Sequence, residues 1–283
     1  MQKNKRLFLF AGYDKNGIID DALILYVRAL SANGDVVLCM DSDCKRSEIA
    51  KLKPYVVHTI ATRHGEYDFG SYKRAYQYAR NHNLLQNYDV IYLVNDSVFG
   101  PTINIRPLIN NIEKIKTDAA GIIVSMHRTH MFMESWFIRM NKKIFTSTWF
   151  DNFMNSVTKE SNKADVTVKY EHGLSNLIKN NRCSWGGICY IRGRFTYNYP
   201  IKLFKRGIPF IKKLSFTRHN GALGRQVKYI LNHCDRNARN AIMKTANRLY
   251  GEKHMNWFLT SNPIKIMVRN IKYAFYKIEN GGI

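Results

Sequence analysis

Acidic side chains are in short supply: 21 Asp and Glu stand against 44 Lys and Arg in 283 residues, a formal net charge of +23. A field so skewed implies an anionic partner, whether nucleic acid, phospholipid headgroups or a phosphorylated substrate. Cysteine is scarce and odd in number (Cys39, Cys44, Cys183, Cys189, Cys234). No spacing among the five matches a metal site, and Cys183 and Cys189 are too far apart for a redox pair. We read all five as reduced thiols of a cytosolic protein. Long apolar runs are missing as well. No stretch approaches the ~18–20 residues that span a bilayer, so any membrane contact is expected to be peripheral. The run Leu7 to Phe10, behind Lys3, Lys5 and Arg6, imitates a signal sequence but is too short, and Asp14 follows at once. A buried first strand is expected there.

What the chain does hold is ample material for a core, with 45% hydrophobic and 13% aromatic residues. Its length suits one large domain with an appendage. Continuous apolar runs predict buried strands at Leu7–Ala11, Val36–Met40, Val56–Ile60, Val90–Val94 and Gly121–Val124. Helical spacing of apolar residues predicts helices between them: around Ile19 to Leu30, Lys45 to Leu52, Ser71 to Leu85 and Ile105 to Ile115. Ser71 and Ser147 are placed to cap helices. Alternation of this kind predicts an α/β fold with a mainly parallel, doubly wound sheet and helices on both faces. We place this domain at residues 1–217. Residues 218–283 form a basic, helical C-terminal region; from Gly221 to the last residue eleven Lys and Arg meet three Asp and Glu. Its clearest element is an amphipathic helix from Pro263 to Ile278. Ile264, Met267, Val268, Ile271, Phe275 and Ile278 line one side, with Lys265, Arg269, Lys272 and Lys277 opposite.

Two stretches sit where a strand runs out into a loop, the place where open α/β sheets bind ligands. Asp96, in Asn95-Asp96-Ser97, follows four apolar strand residues. A carboxylate there suits a divalent cation, manganese or magnesium, that bridges two phosphates. It equally suits a turn cap. Asp68 lies in Tyr67-Asp68-Phe69-Gly70-Ser71-Tyr72-Lys73, where it is placed to accept from a base, ribose or sugar hydroxyl, or to cap the helix that follows. Lys73 and Arg74 stand in the predicted first turn, against the helix dipole, which points to an anion nearby. Four histidines (His127, His130, His172, His219) show no diagnostic metal spacing. Trp136, Trp149 and Trp185 are available as a sugar-stacking platform or as core.

The segments Arg63 to Lys73, Leu93 to Pro101, Tyr170-Glu171-His172-Gly173-Leu174-Ser175 and Gly207-Ile208-Pro209-Phe210-Ile211-Lys212 together resemble the rhamnan synthesis protein F family. Those are bacterial glycosyltransferases of polysaccharide and lipopolysaccharide assembly. Glu66 intrudes before Tyr67, a departure from the family pattern. The resemblance implies a GT-A-like nucleotide-diphosphosugar fold, with Asp68 and Asp96 as site residues. It also implies that Ala11, Gly12 and Asp41, at the ends of the first two strands, face the nucleotide base and ribose. Asn95, Ser97 and Lys73 complete the expected donor site, and Lys212 is placed to offset diphosphate charge. The family motif puts a glutamate at Glu171, the expected base, with Asp151 as second choice.

The expected partners are therefore a nucleotide-sugar donor, a lipid-linked glycan acceptor and the anionic inner face of the cytoplasmic membrane. Charge alone would also suit a nucleic-acid-binding protein. No helix-turn-helix, zinc-finger or RNA-binding aromatic motif accompanies it, so no nucleic acid is expected. A non-catalytic scaffold on the same fold is the other alternative.

Overall fold

The structure, a computed structural model, describes residues 4–127, 129–218 and 222–279, less the side chains of residues 273, 274 and 276–279. The strands are β1 (Arg6–Gly12), β2 (Asp35–Met40), β3 (His58–Ala61), β4 (Val90–Asn95) and β5 (Val98–Phe99). They continue with β6 (Ala119–Met126), β7 (Met131–Met133), β8 (Phe137–Asn141), β9 (Trp185–Arg192) and β10 (Ile211–Lys212). Two compact units result: Met1–Asp96 with Ile105–Gly193, and Ser97–Asn104 with Arg194–Ile283. Position 217/218 lies inside the second.

In the first unit, β1 is buried along its whole length. β2 pairs on one side of it and β4 on the other, with β3 outside β2, all parallel. Burial on both faces is why these segments read as unbroken apolar runs. On one face Phe10 meets Tyr26 of the helix Asp21–Ser31 edge-on at 5.2 Å. On the other, Leu7, Leu9 and Ala11 join Phe69, Tyr72 and Tyr76 of the helix Tyr67–Asn81 in one cluster. Helices thus cover both faces, as expected. The chain builds outward from β1 to β3, then returns to the far side of β1 as β4. Strand order reverses there, at the carboxyl ends of β1 and β4, the place where open α/β sheets bind ligands.

Beyond β4 the sheet departs from the expected order. β8 inserts antiparallel between β4 and β6, and β7 pairs antiparallel with β6, while β9 runs parallel to β6. The sequence gives β8 little signature because Arg139 interrupts its apolar run. That guanidinium is buried, where it donates to the carbonyls of Ile115 and Thr117.

The helix predicted from a Ser71 cap opens earlier, at Tyr67. Gly65 and Tyr67 take positive φ angles of 70° and 56°, which turn the chain sharply into the helix. Asp41 holds this turn: its Oδ1 accepts from the backbone N–H of His64 at 2.7 Å and of Gly65 at 2.8 Å. Ser71 is a buried partner of His64 Nε2 at 3.0 Å rather than a cap. Gly70 is required by the turn itself. A Cβ there would stand 2.3 Å from Glu66 Cβ and 2.8 Å from His64 Cε1.

Lys73 and Arg74 consequently sit in the second turn, and the anion they imply is Glu66. Both contact its Oε2 at 2.8 Å. Burial alone would raise the Glu66 carboxyl, but hydrogen bonds from Arg74 and Lys73 outweigh it and hold the group at about 2.

The second unit has its own core. β5 and β10 pair antiparallel, with Lys212 opposite Val98. Phe216 meets Phe99 at 5.0 Å and Phe258 at 5.9 Å. The helix Leu223–Asn232 crosses the end of the helix Glu252–Phe258 at Gly224, where a Cβ would lie 1.9 Å from the Phe258 carbonyl oxygen. The helix Pro263–Glu279 follows, with Pro263 in its first turn as expected. No helix among the described residues is long and apolar enough to cross a membrane.

Two outcomes follow from these contacts. Because Glu66 titrates near 2 when folded against 4.5 unperturbed, its contacts stabilise the protein fully above pH 4.5 and fail as pH falls toward 2. The melting temperature of the wild type should drop through that window more steeply than that of Glu66→Gln, as scanning calorimetry at stepped pH would record. Gly224→Ala should cost about 1–3 kcal/mol in urea unfolding, since backbone must shift to admit the methyl group.

Candidate functional site

β4 ends in Asn95, Asp96 follows it at once, and continued alternation sends their side chains to opposite faces. Asn95 falls on the side of Leu93 and the helix Tyr67–Asn81. Its Nδ2 donates to Asp68 Oδ2 at 3.1 Å. Asp96 falls on the side of Phe10 and Tyr26. Its backbone N–H donates to the Ala11 carbonyl at 3.1 Å, and its Oδ2 accepts from the Tyr13 N–H at 3.4 Å. One strand end therefore serves both carboxylates.

Electrostatics tie the two sides together through a pair of buried tyrosines. Burial first, and then the charge of Asp96, push the Tyr26 hydroxyl far above its ordinary range. Tyr72 is raised likewise, by burial first and then by Asp68, with smaller contributions from Tyr26 and Glu171. Both phenols stay protonated at any physiological pH. Asp96 thus lies near Tyr26, and Asp68 and Glu171 lie near Tyr72.

Glu171 comes to this end of the sheet on the wide turn Thr167–His172, which runs into the helix Gly173–Asn180. Its Oε1 accepts from the Ser135 N–H at 2.6 Å, while the Ser135 carbonyl accepts from the Tyr72 hydroxyl at 2.8 Å. Tyr72 lies one helical turn beyond Asp68. Ser135 thus links Glu171 to Tyr72, on the helix that carries Asp68.

The other residues singled out in the sequence divide clearly. Ala11 and Gly12 line the end of β1, and the Gly12 carbonyl accepts from the Asp41 N–H. The Asp41 side chain is engaged by the turn at His64 and Gly65. Lys73 Nζ is held by Glu66 and by the Val157 carbonyl at 2.6 Å, which accounts for its position without a ligand. Ser97 and Lys212 meet within the second unit, where Lys212 Nζ donates to Ser97 Oγ at 3.2 Å. Asp151 pairs with Arg80 at 2.8 Å. Arg80 lies at the far end of the helix that begins beside Asp68, roughly 18 Å along its axis, so Asp151 is remote from this group.

Trp136 is buried, and Trp149 and Trp185 pack against the main core. His127 and His130 stack nearly parallel at 4.8 Å, with His172 4.7 Å from His130. Burial first, and then the neighbouring imidazoles, lower the His172 pKa. His219 lies outside the described residues. Among the described residues no three His, Cys, Asp or Glu side chains gather to hold a metal. A magnesium-type ion needs less than that from protein, since one or two carboxylates plus substrate phosphates and water suffice. Asp96 meets that minimum.

Sequence reasoning missed Glu134, Ser135 and Tyr72. Glu134 is buried, its Oε1 accepting from Ser125 Oγ at 3.0 Å and its Oε2 from Trp136 Nε1 at 2.9 Å. It braces the β7–β8 connection, whose Trp136 carbonyl accepts from the Asn95 N–H. The available signal was a lone carboxylate inside the apolar run Met131-Phe132-Met133-Glu134-Ser135-Trp136-Phe137. Such a charge in a buried segment needs partners.

Comparison with known proteins follows the same lines. No curated protein matches the chain significantly. Among solved structures, a protein assigned as a nucleotide-diphospho-sugar transferase from Desulfovibrio desulfuricans is similar at 18% identity. The match covers 82% of this chain and 98% of that one, with a TM-score of 0.40. A cytidylyltransferase from Leptospira borgpetersenii matches at 11% identity over 68% and 77% of the two chains, TM-score 0.36. Core-mannan synthase A from Aspergillus fumigatus, in its Mn/GDP form, matches at 11% over 54% and 63%, TM-score 0.31. Likenesses this distant carry no argument about chemistry. The model of rhamnan synthesis protein F, by contrast, matches residues 36–276, well over half of the sequence. The chain belongs to the rhamnan synthesis protein F family.

Proposed function

We propose that the protein is a glycosyltransferase that moves a sugar from a nucleotide-diphospho donor to a growing surface glycan carried on lipid. The observation that carries this reading is the group Asp68–Asn95–Asp96 at the strand ends where strand order reverses, in a chain of the rhamnan synthesis protein F family. A hexosyl or deoxyhexosyl unit is transferred, to an O-antigen, capsule or rhamnan type of polymer, at the cytoplasmic face of the membrane.

Each side chain has a task in this scheme. Asp68, fixed by the Asn95 amide, accepts from hydroxyls of the donor. Ala11 and Gly12, buried at the end of β1, would form the floor beneath the nucleoside. Asp96 orients the diphosphate, and a manganese or magnesium ion held there would neutralise charge on the departing group. The acceptor oxygen attacks the anomeric carbon and the carbon–oxygen bond to the diphosphate breaks, its electron pair leaving with the phosphate. Glu171 takes the acceptor proton in that step. The Ser135 N–H donates to Glu171 Oε1, and the carbonyl of the adjacent Trp136 accepts from the Asn95 N–H, which keeps this carboxylate at the end of the sheet that carries Asp68.

Donor turnover across a panel of nucleotide sugars, with lipid-linked acceptors, tests the scheme. Glu171→Gln should lower kcat by about 10²–10⁴ with donor KM little changed, the range that a lost general base accounts for. Asp96→Asn should abolish transfer while the melting temperature stays put. Wild-type turnover in both variants would remove the proposal.

A further inference from the structure

In the helix Pro263–Glu279, Ile264, Met267, Val268, Ile271 and Phe275 form an apolar stripe about 100° wide. A stripe like this usually packs against its own protein. Here it faces outward: these five side chains are 39–67% exposed. The residue turned inward is the basic Arg269, only 4% exposed. Its Nη1 donates to the carbonyls of Phe258 and Trp257, at the carboxyl end of the helix Glu252–Phe258, and its guanidinium lies 5.7 Å over the Trp257 ring. A cation is favoured at that end of a helix by its partial negative charge. Around a helix with 3.6 residues per turn, position 269 stands roughly 150° from the centre of the stripe. Turning Arg269 inward therefore turns the stripe outward.

Charge says what covers it. Lys265 and Lys272 flank the stripe along one edge, roughly 80–100° from its centre, and no Asp or Glu occurs from Pro263 to Ile278. From Gly221 to the end of the chain, eleven Lys and Arg meet three Asp and Glu. A second copy laid on this face would set lysines against lysines. An anionic lipid surface offers hydrocarbon for the stripe and negative headgroups for its borders. Lys277 and Ile278, expected to extend the pattern, lie among the side chains not described.

We infer that the helix Pro263–Glu279 binds in the plane of an anionic bilayer, its stripe at the acyl boundary, presented by Arg269 acting as a clamp. This rests on the surface of the second unit alone and is independent of the proposed glycosyl transfer.

The test is co-sedimentation of the full chain with vesicles of equal phosphatidylglycerol and phosphatidylcholine, and with phosphatidylcholine alone. The wild type should prefer the anionic vesicles, and Met267→Glu/Ile271→Glu should weaken that binding at least about tenfold, since two apolar contacts become repelled charges. Both positions are exposed, so the melting temperature should not move. Equal binding by the double variant would overturn the inference and leave only diffuse attraction between charges. Failure of the wild type to bind would overturn it outright. So would sedimentation velocity showing a dimer that the double variant dissociates, because the stripe would then be an interface between copies.

Discussion

The hydrogen bond from the Asn95 amide to Asp68 is the contact on which the site depends. It joins the end of β4 to the first turn of the helix on one face. The very next residue, Asp96, is delivered to the other face by the pleat. Because β4 pairs with β1 on the side away from β2, strand order reverses at the ends of β1 and β4, the position at which open α/β sheets bind ligands. An amide suits the joining position better than a second carboxylate would. Asparagine donates to Asp68, where an aspartate would repel it. The amide in front of Asp96 thus has a structural reason: it is occupied in holding Asp68.

Around that bond the supports are buried and fully engaged. Glu134 bridges Ser125 and Trp136, which fixes the connection that brings Ser135 to both Tyr72 and Glu171. Asp41 and Glu66 do similar work for the turn preceding Asp68, one through backbone N–H groups and the other through Lys73 and Arg74. Acidic residues are few in this chain, and at this end of the sheet they are spent on positioning as much as on any ligand.

Much of this was legible beforehand, and the boundary has a physical origin. β1, β2 and β4 are buried on both faces, so their apolar runs announce them, and Asp96 could be placed from the run before it. The Ser147 cap was equally plain, its hydroxyl accepting from the Phe150 N–H. β7 and β8 escaped because Glu134 and Arg139 break their pattern, and the partners that allow such charges inside lie on other segments. The turn at Glu66 escaped for a related reason. A glutamate that neutralises Lys73 and Arg74 looks, in sequence, like an insertion before the helix. The C-terminal helix was legible in period but not in orientation, since nothing local says that Arg269 will find the carbonyls of Trp257 and Phe258.

On the proposed reading, Asn95 holds Asp68 in place to receive the nucleotide donor. Calorimetric titration with nucleoside diphosphates in manganese buffer, comparing the wild type with Asn95→Ala, tests it most directly. The account predicts that at least one nucleotide binds the wild type and that the substitution weakens it about tenfold, the worth of a hydrogen bond to a charged group. Equal affinity in the two proteins, or no binding by the wild type to any nucleotide, would contradict it.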